Sequence, residues 1–213
     1  MLEVEIYKKL AEFDLDVSFR NEDVCLGLMG ASGSGKSMTL KCIAGIETPD
    51  RGRIVVNDQV LFDSKKKINV PIQQRNVGYM FQSYALFPNM NVYENISCGL
   101  KARKEKDMDA KVVKVMDQFH ITELSNRYPK QLSGGQRQRV ALARLMVYEP
   151  DVLLFDEPFS ALDEDLKEEL LKELKKELQI SKPVIFVSHN KEEVRYLCDL
   201  KYKMKQGKME EEK

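Results

Sequence analysis

Apolar residues occupy every second position at the start of the chain, at Leu2, Val4 and Ile6, and the same alternation resumes at Phe13, Leu15, Val17 and Phe19. A period of two buries one face of a segment and wets the other, so both stretches are predicted as half-buried strands. Residues 24–29 are apolar almost throughout, the pattern of a parallel strand covered on both faces. A glycine-rich turn follows, and helical spacing through Leu40 and Ile43 runs out at Gly45. Residues 53–58 and 76–81 read as two more strands, with the polar run 63–67 between them as a solvated loop. From about Pro88 to Val147 the pattern is helical, broken at Pro129 ahead of the pair Gly134-Gly135. Val152–Phe155 and Val184–Val187 are short buried strands. Between them Leu166, Leu170, Leu171, Leu174 and Leu178 recur at helical spacing over 164–179, with Asp163 as the N-cap. The Lys/Glu-rich tail after Lys203 is expected to fray. Strands alternating with helices predict an α/β fold around a mostly parallel sheet.

Length and charge narrow the reading. The 213 residues allow one large domain, or a core with an embedded subdomain, and 43% hydrophobic content is enough to fill it. Lys plus Arg and Asp plus Glu both number 34, so no charge surplus favours nucleic acid or acidic lipid. Apolar runs fall far short of the roughly 20 residues needed to cross a bilayer. Residues 1–5 lack a signal-peptide layout, which leads us to expect a cytosolic chain with reduced thiols. Cys25, Cys42, Cys98 and Cys198 show no C-x-x-C spacing and read as small apolar fillers.

Chemistry enters at Gly30-Ala31-Ser32-Gly33-Ser34-Gly35-Lys36-Ser37, which fits G-x-x-x-x-G-K-[ST] between a buried strand and a helix. Backbone N–H groups of such a loop curl around phosphate oxygens, and the following helix adds its positive end. Lys36 then supplies a charge to the β- and γ-phosphates, and the Ser37 hydroxyl a ligand for Mg²⁺. Asp156 and Glu157 close the strand at 152–155, at the end where ligands gather in open α/β sheets. Asp156 suits the Mg²⁺ shell and Glu157 suits a base for an attacking water. Together these elements predict a nucleoside triphosphatase.

Leu132-Ser133-Gly134-Gly135-Gln136 narrows that class, because the chain resembles the ATP-binding subunits of ABC transporters, whose signature is this pentapeptide. The resemblance covers nearly the whole chain. It implies a P-loop NTPase (RecA-like) core, an N-terminal antiparallel β subdomain and an inserted helical subdomain near 88–147, in one domain spanning 1–213 with no further C-terminal regulatory domain. It also implies a head-to-tail homodimer in which Ser133, Gly134, Gly135 and Gln136 of each subunit face the γ-phosphate on the other's P-loop. Gln82 matches the Q-loop glutamine that touches Mg²⁺ and water. Ser160-Ala161-Leu162-Asp163 matches the D-loop at the dimer interface, and His189 the switch histidine that contacts the γ-phosphate. Met38 stands where the family usually has a threonine that meets the α-phosphate, and Asn190 replaces a common aspartate. Tyr7 and Phe13 are the candidates for the aromatic that stacks on adenine.

Residues 75–88 are similar to importer subunits, and 61–75 to those serving molybdate, tungstate and sulfate, with polyamine, iron and sugar importers sharing much of the pattern. The resemblance therefore implies an ATPase using ATP and Mg²⁺ on the cytoplasmic side of the membrane. Its expected partners are permease subunits, met through a surface near 84–92, and indirectly a solute-binding protein. A soluble cassette acting on nucleic acid is the alternative.

Overall fold

The computed structural model describes residues 1–160, 162, 164–178 and 182–212. The described strands form one sheet in the order β6-β5-β4-β1-β2-β11-β10-β3-β9-β8-β7. Their spans are β1 Leu2–Lys9, β2 Asp14–Asn21, β3 Cys25–Met29, β4 Arg51–Val56, β5 Gln59–Asp63, β6 Ile68–Asn69, β7 Val77–Met80, β8 Val152–Asp156, β9 Val184–Val187, β10 Leu200–Lys205 and β11 Lys208–Glu211.

The alternation read at the N-terminus becomes antiparallel pairing. Leu2 to Lys9 of β1 run against Asn21 to Asp14 of β2, while β4 lies along the other edge of β1. Leu15, Val17 and Phe19 point into the core from β2. Parallel pairing joins β10 to β3, β3 to β9 and β9 to β8, with one further parallel bridge from β11 to β2. The sheet is thus mixed, and the expected parallel character belongs to its middle. Every residue of β3, β8 and β9 is buried, as a strand covered on both faces requires.

Two expectations change. The strand read over 53–58 ends at Val56, where Asn57 and Asp58 adopt left-handed backbone (φ 45 and 66) and turn the chain into β5. Adjacent Asn and Asp tolerate that conformation, so the pair is a hairpin signal, not a strand end. The tail after Lys203 does not fray: β10 and β11 form a hairpin inside the sheet, with Met204 1% exposed. Leu200, Tyr202, Met204 and Met209 pack on the core, while the lysines and glutamates between them take the wet face. Charge at every second position permits a strand when the other face is buried. Gly207 turns this hairpin (φ 79); a side chain there would lie 2.2 Å from the Asp14 carbonyl.

The chain divides into two compact units. The first comprises Met1–Tyr79, Asp151–Glu157 and Leu171–Lys213 and holds the sheet. Its helix α1, Lys36–Ala44, is closed at the C-terminal end by Arg75, a guanidinium 2% exposed. Arg75 donates to the carbonyls of Cys42 (3.0 Å), Ile43 (2.9 Å) and Val70 (2.8 Å) and to Asn69 Oδ1 (2.8 Å). These bonds satisfy carbonyls that a helix end leaves open. Burial lowers the Arg75 pKa.

The second unit comprises Met80–Pro150 and Pro158–Leu170, wider than the expected 88–147. It contains α2 Val92–Ala102, α3 Met108–Gln118 and α4 Gly134–Met146. Asn91 and Glu94 form a capping box on α2. Asn95, fully buried, accepts from the Phe87 N–H and donates to the carbonyls of Phe87, Met90 and Asn91, which shapes the preceding loop. Arg144 donates to the Tyr84 and Ala85 carbonyls of the same loop. There Phe87 is exposed, Leu86 and Met90 are half-buried and Tyr84 is buried. Helix α5, Glu164–Glu177, buries Leu170, Leu171 and Leu174 as its periodicity predicts. Its expected N-cap, Asp163, lies outside the described residues, as does Gln179 at the expected C-terminal end.

Candidate nucleotide site

The first unit gathers the phosphate chemistry at the C-terminal ends of β3, β8 and β9. Gly30 leaves β3 directly beneath β10; a Cβ there would sit 2.3 Å from the Met204 carbonyl oxygen, so the loop departs close against its neighbour only because the residue is glycine. The loop 31–35 then meets α1 at Gly35, whose left-handed backbone (φ 113) starts the helix without any side-chain cap. Leading N–H groups of the helix are therefore open to an anion. From the other side the loop is buttressed by the β10–β11 turn, where the Gly207 N–H donates to the Ser34 carbonyl (2.9 Å).

Lys36 is 5% exposed and donates to the carbonyls of Gly30 (2.8 Å) and Ala31 (2.9 Å). Burial lowers its pKa, and Glu157 and Asp156 oppose that shift by favouring the cation. A buried ammonium held by neutral carbonyls, with carboxylates as its countercharges, suits a polyanionic ligand. The Ser34 hydroxyl is buried without a partner, a further open polar group inside the loop.

Ser37 and Asp156 meet as the motif spacing predicts, with Ser37 Oγ donating to Asp156 Oδ1 at 2.8 Å. Hard oxygen ligands from two adjoining elements fit Mg²⁺, which otherwise keeps water and phosphate oxygens. Among the described residues no cluster of three or more His, Cys, Asp or Glu side chains is placed to hold a metal ion. The other carboxylate oxygen, Oδ2, accepts from the Tyr79 hydroxyl at 2.8 Å. Burial, and then the Asp156 charge, push the Tyr79 pKa up.

Glu157 leaves β8 in left-handed backbone (φ 50), with its N–H bonded to the Val187 carbonyl at 3.0 Å. A non-glycine residue held there stores roughly 1–3 kcal/mol of strain, a cost met most often at functional sites. The turn separates the roles of the adjoining acids: Asp156 faces Ser37, while Glu157 Oε2 lies 3.4 Å from His189 Nδ1. That is ion-pair distance, long for a hydrogen bond. Asn190 caps α6, Lys191–Leu197, by accepting from the Glu192 N–H, so the residue after the histidine serves as a helix start.

The second unit carries the remaining motifs. Ser133 is the N-cap of α4: its hydroxyl oxygen accepts from the Gln136 N–H (3.2 Å), while Gln136 Oε1 accepts from the Ser133 N–H (3.0 Å). Gly135 lets Leu166 lie against the helix start. Gln82 Nε2 donates to Ser160 Oγ at 3.2 Å, which ties the Q-loop match to the start of the D-loop match. Ala161 and Asp163 of that segment lie outside the described residues.

The family profile described as ABC transporter matches residues 14–160. The chain belongs to the ABC transporter family. A sulfate/thiosulfate import ATP-binding protein, CysA, of Thermosynechococcus vestitus is 41% identical over 210 residues, 96% of this chain and 59% of that protein. The spermidine/putrescine import ATP-binding protein PotA of Aliivibrio fischeri is 42% identical over 206 residues, 95% of this chain and 53% of that protein. The chain thus spans somewhat over half the length of these relatives. Among solved structures, the cassette MJ0796, a dimer in a post-hydrolysis state with ADP and Pi, matches with a TM-score of 0.82 at 27% identity, covering 100% of this chain and 98% of that one.

Tyr7 hydrogen-bonds Asp14 (2.8 Å), and the Arg51 guanidinium covers its ring at 4.0 Å from the centroid. Phe13 instead lies against the phosphate loop, with Cε2 3.5 Å from where a Cβ of Gly35 would be. Met38 packs on the core, and the Thr39 hydroxyl donates back to the Gly35 carbonyl (3.0 Å). The hydroxyl missing at 38 is therefore not replaced by its neighbour. Tyr79, Arg75 and Gly207 were not singled out for these contacts. Tyr79 meets Asp156, Arg75 meets Cys42 and Gly207 meets Ser34 across 77, 33 and 173 residues of chain, and no local pattern encodes such pairings.

Proposed function

We propose that this chain is the ATP-hydrolysing subunit of an import system, working as a pair of cassettes on the cytoplasmic face of the membrane against permease subunits. The observation that carries this reading is the convergence of Lys36, Ser37, Asp156, Glu157 and His189 at one end of the parallel strands. The loop 30–35 and the open start of α1 hold the phosphates, with Lys36 turning from the Gly30 and Ala31 carbonyls to the ligand. Ser37 and Asp156 would hold Mg²⁺. When bound, that ion neutralises charge on the β- and γ-phosphates. Glu157 takes the proton of the attacking water, and His189 orients its carboxylate and meets the γ-phosphate. Adenine stacks on Phe13 in preference to Tyr7, because Phe13 stands beside the loop and Arg51 already covers Tyr7.

Two cassettes give the signature a use. The Ser133 oxygen accepts the capping bond, but its own proton is still available to donate to a γ-phosphate held by a second copy. The dimeric cassette with ADP and Pi supports this pairing. Exposed Phe87, with Leu86 and Met90 beside it, offers the permease an apolar contact on a loop shaped by Asn95 and Arg144. Among the described residues no helix is long and apolar enough to cross a membrane, which fits a peripheral subunit.

For the cargo we favour an oxyanion, sulfate before molybdate or tungstate, on the strength of the CysA relative. The PotA relative, equally similar, supports polyamine as the second reading. Phosphate release from MgATP tests the activity. Glu157→Gln is expected to lower turnover by about 10²–10⁴-fold, keep ATP binding and accumulate an ATP-dependent dimer in size-exclusion chromatography. Normal turnover in that variant would remove Glu157 from the role of base. Uptake of labelled sulfate against labelled spermidine, by cells carrying the complete system, separates the two cargo readings.

A further inference from the structure

The Mg²⁺ reading assigns Asp156 to the metal but leaves open which of its oxygens faces it. A carboxylate at a strand end rotates readily about its last torsion and can offer either oxygen. Here both oxygens are engaged. Ser37 Oγ donates to Oδ1 and the Tyr79 hydroxyl donates to Oδ2, each at 2.8 Å. Tyr79 reaches Asp156 because β7 lies beside β8 at the edge of the sheet. Its ring is half-buried and packs on the core, so the hydroxyl is aimed from a fixed frame. Asp156 is 9% exposed, which leaves little water to replace a lost donor.

We propose that Tyr79 is a positioning residue for the metal site: its hydroxyl pins Asp156 Oδ2 and thereby leaves Oδ1, beside Ser37, as the oxygen offered to Mg²⁺. The inference rests on the nucleotide-site reading above. The consequence is specific. Without the phenol donor, Oδ2 is a buried, unpaired carboxylate oxygen, and the group turns to recover a partner at the expense of the Ser37-facing geometry. A hydrogen bond that orients a metal ligand in this way typically accounts for about 10–100-fold in metal affinity. The aromatic ring makes the packing contacts, so Tyr79→Phe deletes the hydrogen bond and keeps the shape.

The test uses the whole chain with a non-hydrolysable ATP analogue and Mn²⁺ as a paramagnetic probe, Mg²⁺ being added in competition. Tyr79→Phe is expected to need at least tenfold more Mn²⁺ for half-saturation, while its melting temperature and its analogue affinity in EDTA match the wild type. In an Asp156→Asn background the same change should add nothing, because the group it positions is gone. Equal Mn²⁺ affinity in wild type and Tyr79→Phe overturns the inference alone. So does a loss that appears equally in EDTA or as a lower melting temperature, which would make the tyrosine structural. An additive loss in the double variant also overturns it. Wild-type protein that shows no metal-dependent binding of the analogue overturns the site reading itself, and this inference with it.

Discussion

The chain has two helix starts bounded by glycines, at α1 and α4, and they are built differently. Helix α1 begins at a glycine with no side chain closing it, beside a buried ammonium whose partners are backbone carbonyls. Helix α4 begins at a serine that closes its own first turn through a reciprocal box with Gln136. The first terminus has no side-chain cap and stands beside a cation, an arrangement that favours an anion. The second is closed by its own capping box, so it keeps its shape without ligand, and the Ser133 oxygen is used as an acceptor. Such a division suits a site in which one surface holds the nucleotide and another senses it.

That contrast makes Lys36 and Ser133 unequal. Lys36→Ala is expected to lower turnover by on the order of 10²–10³-fold, the usual consequence of losing one electrostatic stabiliser of a transferring group, and to weaken ATP binding by the single chain. Equal effects of Lys36→Ala and Ser133→Ala on ATP binding by the isolated chain would break the comparison.

A smaller effect sharpens it at the opposite end of α1. Arg75→Ala uncaps the carbonyls of Cys42 and Ile43 and leaves a buried gap, and should cost about 3 kcal/mol in urea-unfolding free energy. Since Arg75 touches nothing at the phosphate end, nucleotide affinity of the folded fraction should stay within about twofold, by the independence of distant sites. A variant that melts like wild type would show that the helix end satisfies itself.

The smallest change separates the two duties of Ser133. Ser133→Ala removes the acceptor for the Gln136 N–H and should cost about 1 kcal/mol of stability. Ser133→Asp restores the cap but sets a negative charge at the helix tip. Thermal melting of the aspartate variant is expected near wild type while turnover is lost. Stability and turnover recovering together would mean that Ser133 acts only as a cap.

Parts of the molecule were legible in the residues because their signals are local. The period-two runs became β1 and β2, the continuous apolar runs became β3, β8 and β9, and the Gly30–Ser37 motif lies between strand and helix. The carboxylate pair 156–157 stands at its strand end, and Ser37 meets Asp156. Less legible were elements whose burial depends on a distant neighbour. The residues after Lys203 read as a charged tail, since their alternation has meaning only once β3 and β2 supply the flanking strands. Tyr7 and Phe13 were indistinguishable by spacing, and only the fold shows that Arg51, from another strand, covers the Tyr7 ring.

By itself, then, the order of residues determined β1, β2, β3, β8, β9 and α5 and set the Gly30–Ser37 loop between a strand and a helix, because backbone conformation and side-chain period act over a few positions. Tertiary structure alone decided the mixed pairing of the sheet, the capping of α1 by Arg75, the buttress of Gly207 under the loop and the grip of Tyr79 on Asp156. The last three join groups 32 or more residues apart in the chain, and such hydrogen bonds form only after the sheet has brought its strands together.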